Sequence, residues 1–382
     1  PNSTTVGTTL NGTYTVGAGG NYTTLTAAIN AYNTGCLAGP VVFELTDATY
    51  SASETFPISI GLNNDASATN TLTIRPTGTA TITGTNATSL ITFNGARYVT
   101  IDGRIGSTGT THSLTIANTT GPAVVLINDA NNNTVKYSDL KSDNTSTTSG
   151  VVLFSTTTGA NGNDNNTIDN CNIGPNASNP TNGIFASGTT TSSTHFNSGN
   201  VISNNNIFDF YNSTSTSNGG TGVSVSSCNT DWSVTGNSFY QTATRTTYGA
   251  AAVVSAINIT NTSGSNFTVT GNYVGGTAPL CAGTAYTINA TTTVVFRGIL
   301  ISVGVTPVSN INNNTVRNLA ITTTSTSSSQ SAFSLLNGGL NVDGNTVGSQ
   351  TATGDIVFST SGTGAFFSGI LAGSGTTGQG VI

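Results

Sequence analysis

Apolar and polar positions recur along this chain with a fixed internal spacing and a nearly fixed period. Seven segments each carry an apolar residue, a small polar residue three positions on, and a second apolar residue two further. The first apolar column reads Val135, Ile168, Ile202, Val234, Val269, Ile311 and Val342. The polar column reads Ser138, Cys171, Asn205, Asn237, Asn272, Asn314 and Asn345, and the second apolar column Leu140, Ile173, Ile207, Phe239, Val274, Val316 and Val347. Successive polar positions lie 33, 34, 32, 35, 42 and 31 residues apart. A recurrent unit of this length predicts a solenoid whose loops vary while its strands do not.

Within each unit an earlier strand is often opened by glycine, as in Gly150-Val151-Val152-Leu153-Phe154, Gly183-Ile184-Phe185, Gly222-Val223-Ser224-Val225 and Gly298-Ile299-Leu300-Ile301. The unit therefore reads strand, variable loop, strand, Asn bend, strand, variable loop. Strands of three to five residues alternate inward and outward, which places the apolar columns in a narrow core. Winding the unit stacks each strand on its counterpart about 4.8 Å away, giving parallel sheets. The fold class expected is all-β, a right-handed parallel β-helix of about ten coils. Asn suits the bend because it tolerates left-handed backbone geometry and its amide can bond to the Asn above and below. Irregular early strands are expected at Val41–Leu45, Thr71–Ile74, Leu90–Phe93 and Tyr98–Ile101.

Residues 25–32 form the one convincing helix, with Leu25, Ala28, Ile29 and Tyr32 on one face and Thr23 or Thr24 as its cap. It would cover the open first coil. The division expected is residues 1–40 for an N-terminal strand and capping helix, and 41–382 for the β-helix. No helix follows Asn345. Asp355–Phe358 and Phe366–Leu371 read as strands of one more coil, and Gly373 to Gly380 trails off without an apolar stripe. The C-terminal coil is therefore expected to be open or covered by a further module or a second copy, with Phe366, Phe367 and Ile370 at that end.

The run from Tyr14 to Ile29, with Val41-Val42-Phe43-Glu44-Leu45 and Ala48-Thr49-Tyr50, resembles the N-terminal cap and first coil of pectin-esterase-like and pectate-lyase-like β-helices. The segments Thr73-Ile74-Arg75-Pro76, Tyr98-Val99-Thr100-Ile101-Asp102-Gly103 and Asn165 to Ile173 are similar to β-helix modules of large secreted surface proteins of Bacteroidota-type bacteria. The resemblance covers nearly the whole chain and implies architecture more than activity, since this fold hosts lyases, hydrolases, esterases, adhesins and spacers. The esterase pattern needs Gln-rich and Asp-centred motifs on adjacent coils. Here Asp102 is the nearest counterpart and no Gln precedes Gln241, so Asp102 is expected to end a strand in a turn.

Composition narrows function. Charged residues make up 6% of the 382 residues, against roughly 25% in ordinary soluble domains. With 8 Lys and Arg and a net charge of −6, no basic stripe exists, which excludes nucleic acid and anionic membrane surfaces as partners. No apolar run approaches the ~20 residues that span a bilayer. The absence of Met and the Pro1 start read as a removed leader or a piece of a larger product. A charge-poor, Thr-, Asn- and Gly-rich surface points outside the cell. Cys36, Cys171, Cys228 and Cys281 follow no metal spacing and read as small buried residues; Cys171 and Cys228, about two coils apart, are too distant for a bridge.

Candidate chemistry is sparse. Lys136, Asp139, Lys141 and Asp143 fall in one coil, Asp164 and Asp169 in the next, and the period aligns Lys136 with Asp169 as a cross-coil ion pair. The loop Asn161-Gly162-Asn163-Asp164-Asn165-Asn166 has calcium-loop character but one carboxylate. His112 and His195 have no partner at ligand or triad spacing. Alternating Thr77, Thr79, Thr81, Thr83 and Thr85 lack the equal coils an ice-binding face needs. Trp232, Tyr240, Tyr248, Phe267 and Tyr273 would either stack on a glycan or fill the core; Trp232 and Phe267 share one repeat position, five before the turn Asn. The expected function is an extracellular structural or adhesive segment without catalytic, metal or cofactor residues. Its expected partners are further modules or copies of itself and a glycan. The alternative is a polysaccharide-active lyase or hydrolase, or a non-catalytic carbohydrate-binding β-helix.

Overall fold

The computed structural model describes residues 8–326, 329–349, 351 and 355–377. It is an all-β parallel solenoid of about 11 turns, against the ten expected. Each turn passes from a first sheet through a one-residue bend into a second, then through loops into a third and back. The first apolar column pairs in parallel in the predicted order, Val135 to Ile168, Ile202, Val234, Val269, Ile311 and Val342. The second pairs likewise from Leu140 to Val347. All members but the last of each column are buried. Burial of two apolar columns and the facing third-sheet residues, such as Ile184, Val223, Ile257, Ile299 and Phe333, is the main stabilising term, since each buried Val, Leu or Ile contributes about 1.5–3 kcal/mol. The third sheet departs from the short strands expected. Ala252–Asn261, Val294–Val303 and Gln330–Asp343 run for 10, 10 and 14 residues, and the last continues from the third sheet into the first. Gly222 is required in this sheet, because a Cβ there would lie 2.4 Å from the Phe239 ring.

The bend is built differently from the expectation. The left-handed residue is the one before the turn Asn: Tyr137, Asn170, Asn204, Gly236, Gly271, Asn313 and Gly344 all have positive φ. The turn Asn itself points inward. Asn205, Asn237, Asn272 and Asn314 are buried, and each Nδ2 donates to the next Oδ1, at 3.0, 3.0, 2.9 and 3.0 Å up to Asn345. Each Oδ1 also accepts the preceding rung's backbone N–H, beginning with Cys171 N at 2.8 Å from Asn205 Oδ1. Every Nδ2 further reaches a first-sheet carbonyl, as Asn272 does at Val234 O, 2.8 Å away. The amide thus satisfies backbone groups that the sharp corner would otherwise leave unpaired.

A second column of amides lies at the other end of the same strands. Asn133 donates to Asn166 Oδ1 at 2.9 Å and Asn166 to Asn200 Oδ1 at 3.1 Å; a third pair joins Asn163 to Asn197 at 3.0 Å. Trp232 and Phe267 continue the Asn133–Asn200 column as fully buried rings.

The helix is Leu25–Thr34, capped by the Thr24 side chain, with the predicted face buried. Glu54 completes its N-terminus, accepting Leu25 N at 2.8 Å and Thr26 N at 2.7 Å, where a carboxylate also meets the positive end of the helix dipole. Thr9–Val16 pairs with Cys36–Leu45 to start the first sheet. At the other end, Ile356–Thr360 and Phe367–Thr377 form strands. The latter runs past Gly373 through Thr377 and pairs Gly375, Thr376 and Thr377 with Asn337, Gly338 and Gly339, so the expected fading of the strand after Gly373 is corrected; residues 378–380 of that stretch lie outside the described residues. Val347, Val357 and Phe366 are 39%, 46% and 53% exposed there, while Phe367 and Ile370 are partly buried.

Candidate functional site

Between Val99–Asp102 and Leu114–Asn118 the one-residue bend is replaced by residues 103–113. Gly103 opens this loop against Tyr137, whose carbonyl oxygen would sit 1.9 Å from any Cβ added there. The loop gathers charged and aromatic side chains onto the outside of the corner. Asp102 is 1% exposed and ends its strand, as expected, but its carboxylate is fully engaged. Arg104 Nε donates to Oδ1 at 2.9 Å and Nη2 to Oδ2 at 2.8 Å, and Lys136 Nζ lies 3.6 Å from Oδ2. Burial pushes this carboxyl up, but the Arg104 fork, the Arg104 N–H and the Lys136 charge outweigh it and hold it below the usual carboxylate range.

Lys136 therefore pairs with the coil before it, not with Asp169 as the period suggested. Both aspartates are its strand neighbours. Asp169 instead accepts from Ser203 Oγ at 2.7 Å, Asn204 Nδ2 at 3.0 Å and Asn170 Nδ2 at 2.7 Å.

The Arg104 guanidinium lies 4.1 Å from the centroid of the Tyr137 ring, a cation–π contact that covers a bulky residue held at φ +50°. His112 meets the same ring edge-on at 6.1 Å. It is not isolated, contrary to the spacing argument: His112 Nδ1 is 2.9 Å from Asp139 Oδ1, and Asn172 Nδ2 donates to the same oxygen at 2.9 Å. Burial raises the Asp139 carboxyl, and the hydrogen bonds from His112 and Asn172 more than offset it, so it too sits below its ordinary value. Chemically, a carboxylate-oriented imidazole beside a phenol and a guanidinium can bind a polar, acidic group or move a proton.

The other sequence candidates do not join this cluster. Asp143 accepts the backbone N–H groups of Ala177 and Ser178, both at 2.7 Å. Asp164 accepts from Ser198 N at 2.7 Å, and burial pushes its carboxyl up. Asn163 and Asn166 of the calcium-like loop belong to the amide columns rather than to an ion site, and no set of three or more His, Cys, Asp or Glu placed for a metal occurs among the described residues. His195 closes a short turn. Of the Thr run, Thr81 and Thr83 lie in the strand Ala80–Gly84. Among the aromatic candidates Trp232, Tyr248 and Phe267 are core; Tyr240, which is mostly buried, stacks on Phe208 at 5.3 Å and 9°. Cys171, Cys228 and Cys281 are buried as expected, Cys36 is exposed, and all four are free thiols.

A second charged cluster, which the sequence reasoning missed, lies where the second sheet turns toward the third. Arg245 Nη2 donates to Asp209 Oδ1 at 2.6 Å, Nε to Gln241 Oε1 at 2.7 Å and Nη1 to Asn179 Oδ1 at 3.3 Å. The 36-residue separation of Asp209 and Arg245, close to one coil, was the available signal.

No protein-family model and no curated protein matches the chain. Solved structures do. An alginate lyase from Paenibacillus sp. str. FPU-7 is similar with a TM-score of 0.50, at 14% identity, over 96% of this chain and 99% of that one. A surface adhesin of Streptococcus pneumoniae follows with 0.42, 16%, 86% and 83%, and the A-module of a mannuronan C-5 epimerase of Azotobacter vinelandii with 0.29, 13%, 91% and 94%. At 14% identity the likeness to the lyase is one of fold alone, the parallel β-helix.

Proposed function

We propose that the chain is a rigid, non-catalytic β-helix working outside the cell as a structural or adhesive segment of a surface or secreted fibre. The observation that carries this reading is the unbroken amide column from Asn205 to Asn345, which ties each coil to the next through buried hydrogen bonds and stiffens the rod along its axis. The charge-poor surface supports it, as does the Asp102–Arg104–Lys136 cluster, whose charges are spent on one another rather than on a groove. Three depressions of about 340, 400 and 270 Å³ are lined by residues outside that cluster.

The rival reading, a lyase acting on an acidic polysaccharide, is favoured by one observation: the His112–Asp139 pair stands beside Tyr137 and Arg104. Incubation of the protein with alginate and with polygalacturonate separates the two. The structural reading expects no unsaturated uronate product by ultraviolet absorbance. Product formation that disappears in His112→Ala, with an unchanged melting curve, would replace it with the lyase.

A further inference from the structure

Beside the second charged cluster the surface sinks into an open depression of about 340 Å³, lined by Thr145, Ser178, Asn179, Tyr211, Asn212, Ser213 and Thr214. Its chemistry is unlike the rest of the charged surface. Hydroxyls and amides line it and one aromatic ring walls it; none of the lining residues is charged, and the nearest charges are the Asp143 carboxylate, which accepts Ser178 N–H at 2.7 Å, and Arg245, which donates to Asn179 Oδ1. Arg245 and Asp209 sit behind the lining with side chains only 11% and 8% exposed, so their charges face each other and not a ligand.

Those buried charges fix the lining in place. Arg245 donates to the Asn179 side-chain oxygen Oδ1 and lies 5.0 Å from the centroid of the Tyr211 ring. The Tyr211 hydroxyl donates to Thr247 O, and Tyr248 packs against the ring edge-on at 5.2 Å. Asn212 is locked through Thr181 Oγ1 at 2.8 Å and the backbone N–H of Thr214 and Ser215. A ring and amides held before any ligand arrives lose little freedom on binding.

The geometry points to a binding subsite for an uncharged sugar ring. A pyranose offers an apolar C–H face to the Tyr211 ring and hydroxyls to the Thr145, Ser178 and Ser213 side chains. The volume lies at the low end for small-molecule sites, which suits one terminal or branch residue of a glycan. Uronates are disfavoured because Arg245, the cation beside the lining, is paired with Asp209 and the Asp143 carboxylate stands next to Ser178. This inference names a partner class for the adhesive reading and rests on it for its biological meaning, but sugar binding is read independently of adhesion.

The test is a saturation-transfer NMR titration of the whole chain with methyl glucosides, galactosides and mannosides, and with galacturonate oligomers as the charged control. At least one neutral glycoside is expected to bind in the millimolar range, and the uronates to bind more weakly. Tyr211→Ala is expected to weaken binding about fivefold or more, the scale of one aromatic contact, whereas Tyr211→Phe keeps the ring and the affinity. Ser178→Trp fills the depression from an exposed loop position and abolishes binding without touching the core, which covers the case that Tyr211→Ala fails to fold. Binding by none of the glycosides, or equal binding by wild type and Ser178→Trp, overturns the subsite. Neither result bears on the rod, whose own test is the absence of lyase product.

Discussion

The same corner of the helix is built in two ways. From Asn205 to Asn345 the bend is one left-handed residue followed by a buried Asn, and the coupling between coils runs through amides inside the wall. At Ser138 and Cys171 the column stops. There the coupling passes to Asn133, Asn166 and Asn200 at the other end of the first-sheet strands, while the outside of the corner carries the Asp102–Arg104–Lys136 cluster. The two amide columns overlap only near Asn200 and Asn205. The difference teaches that the corner accepts a buried amide or, at Ser138 and Cys171, a hydroxyl or thiol turned to a strand carbonyl, and that charged side chains appear outside where the loop insertion opens the bend.

The sharpest break of this comparison is to remove one rung from each column. Asn272→Leu takes the side-chain partner from Asn237 N and Val234 O, and Asn166→Leu takes the acceptor of Asn133 N and one of the two donors to Ala130 O, which keeps Asp164 N. Each is expected to cost about 3 kcal/mol, read as a lower denaturant midpoint. An unchanged midpoint in either variant would remove that column from the account.

Asp102→Asn comes next, at about 2 kcal/mol, because it strips a buried carboxylate from two cations. Its pH dependence has a definite sign. The folded carboxyl lies below its ordinary value, so its contribution is complete above the unfolded pKa near 3.9 and is lost as pH falls through the lower folded value. Wild type should therefore lose stability at the acid end more steeply than Asp102→Asn. Parallel acid limbs for the two proteins would count against the pairing.

Cys171→Asn sharpens the comparison in the other direction. The Cys171 thiol, whose pKa burial pushes up to about 12, sits 3.6 Å from Val135 O, where Asn205 places its Nδ2 2.9 Å from Ile168 O. An amide at 171 would lengthen the column by one rung and raise stability by about 1 kcal/mol; a loss of stability would show that the column ends for steric reasons. The smallest effect belongs to Lys136→Ala, a half-exposed partner worth about 0.5 kcal/mol or less, and weaker still in high salt.

The apolar columns and the Asn bends were legible because period-two burial forces one register, and a slip of one residue would turn Val269 and its neighbours outward. The role of the turn Asn was half legible. Stacking followed from the recurrence, but the left-handed position belongs to the preceding residue, where Gly236 and Gly271 alternate with Asn170, Asn204 and Asn313. The Asn133–Asn166–Asn200 column stayed hidden because the same position holds Trp232 and Phe267, so amides and rings share one buried site. Strand alignment offers Lys136 two aspartates, Asp102 and Asp169, and register alone does not distinguish them. His112 and Asp139 lie 27 residues apart, off the coil period, and meet only because the 103–113 loop folds back.

The most direct test of the amide column is side-chain exchange. In ¹⁵N-resolved NMR, the carboxamide protons of Asn205, Asn237, Asn272 and Asn314 should exchange slowly with solvent in wild type. In Asn272→Leu, protection should fall at Asn237, whose Nδ2 loses its Asn272 acceptor, while Asn314, which donates to Asn345 Oδ1 and Val269 O, and Asn166 keep theirs. Rapid exchange of these four amides in the native protein, or loss of protection spread evenly over the chain in the variant, would contradict the column as the axial tie of the rod.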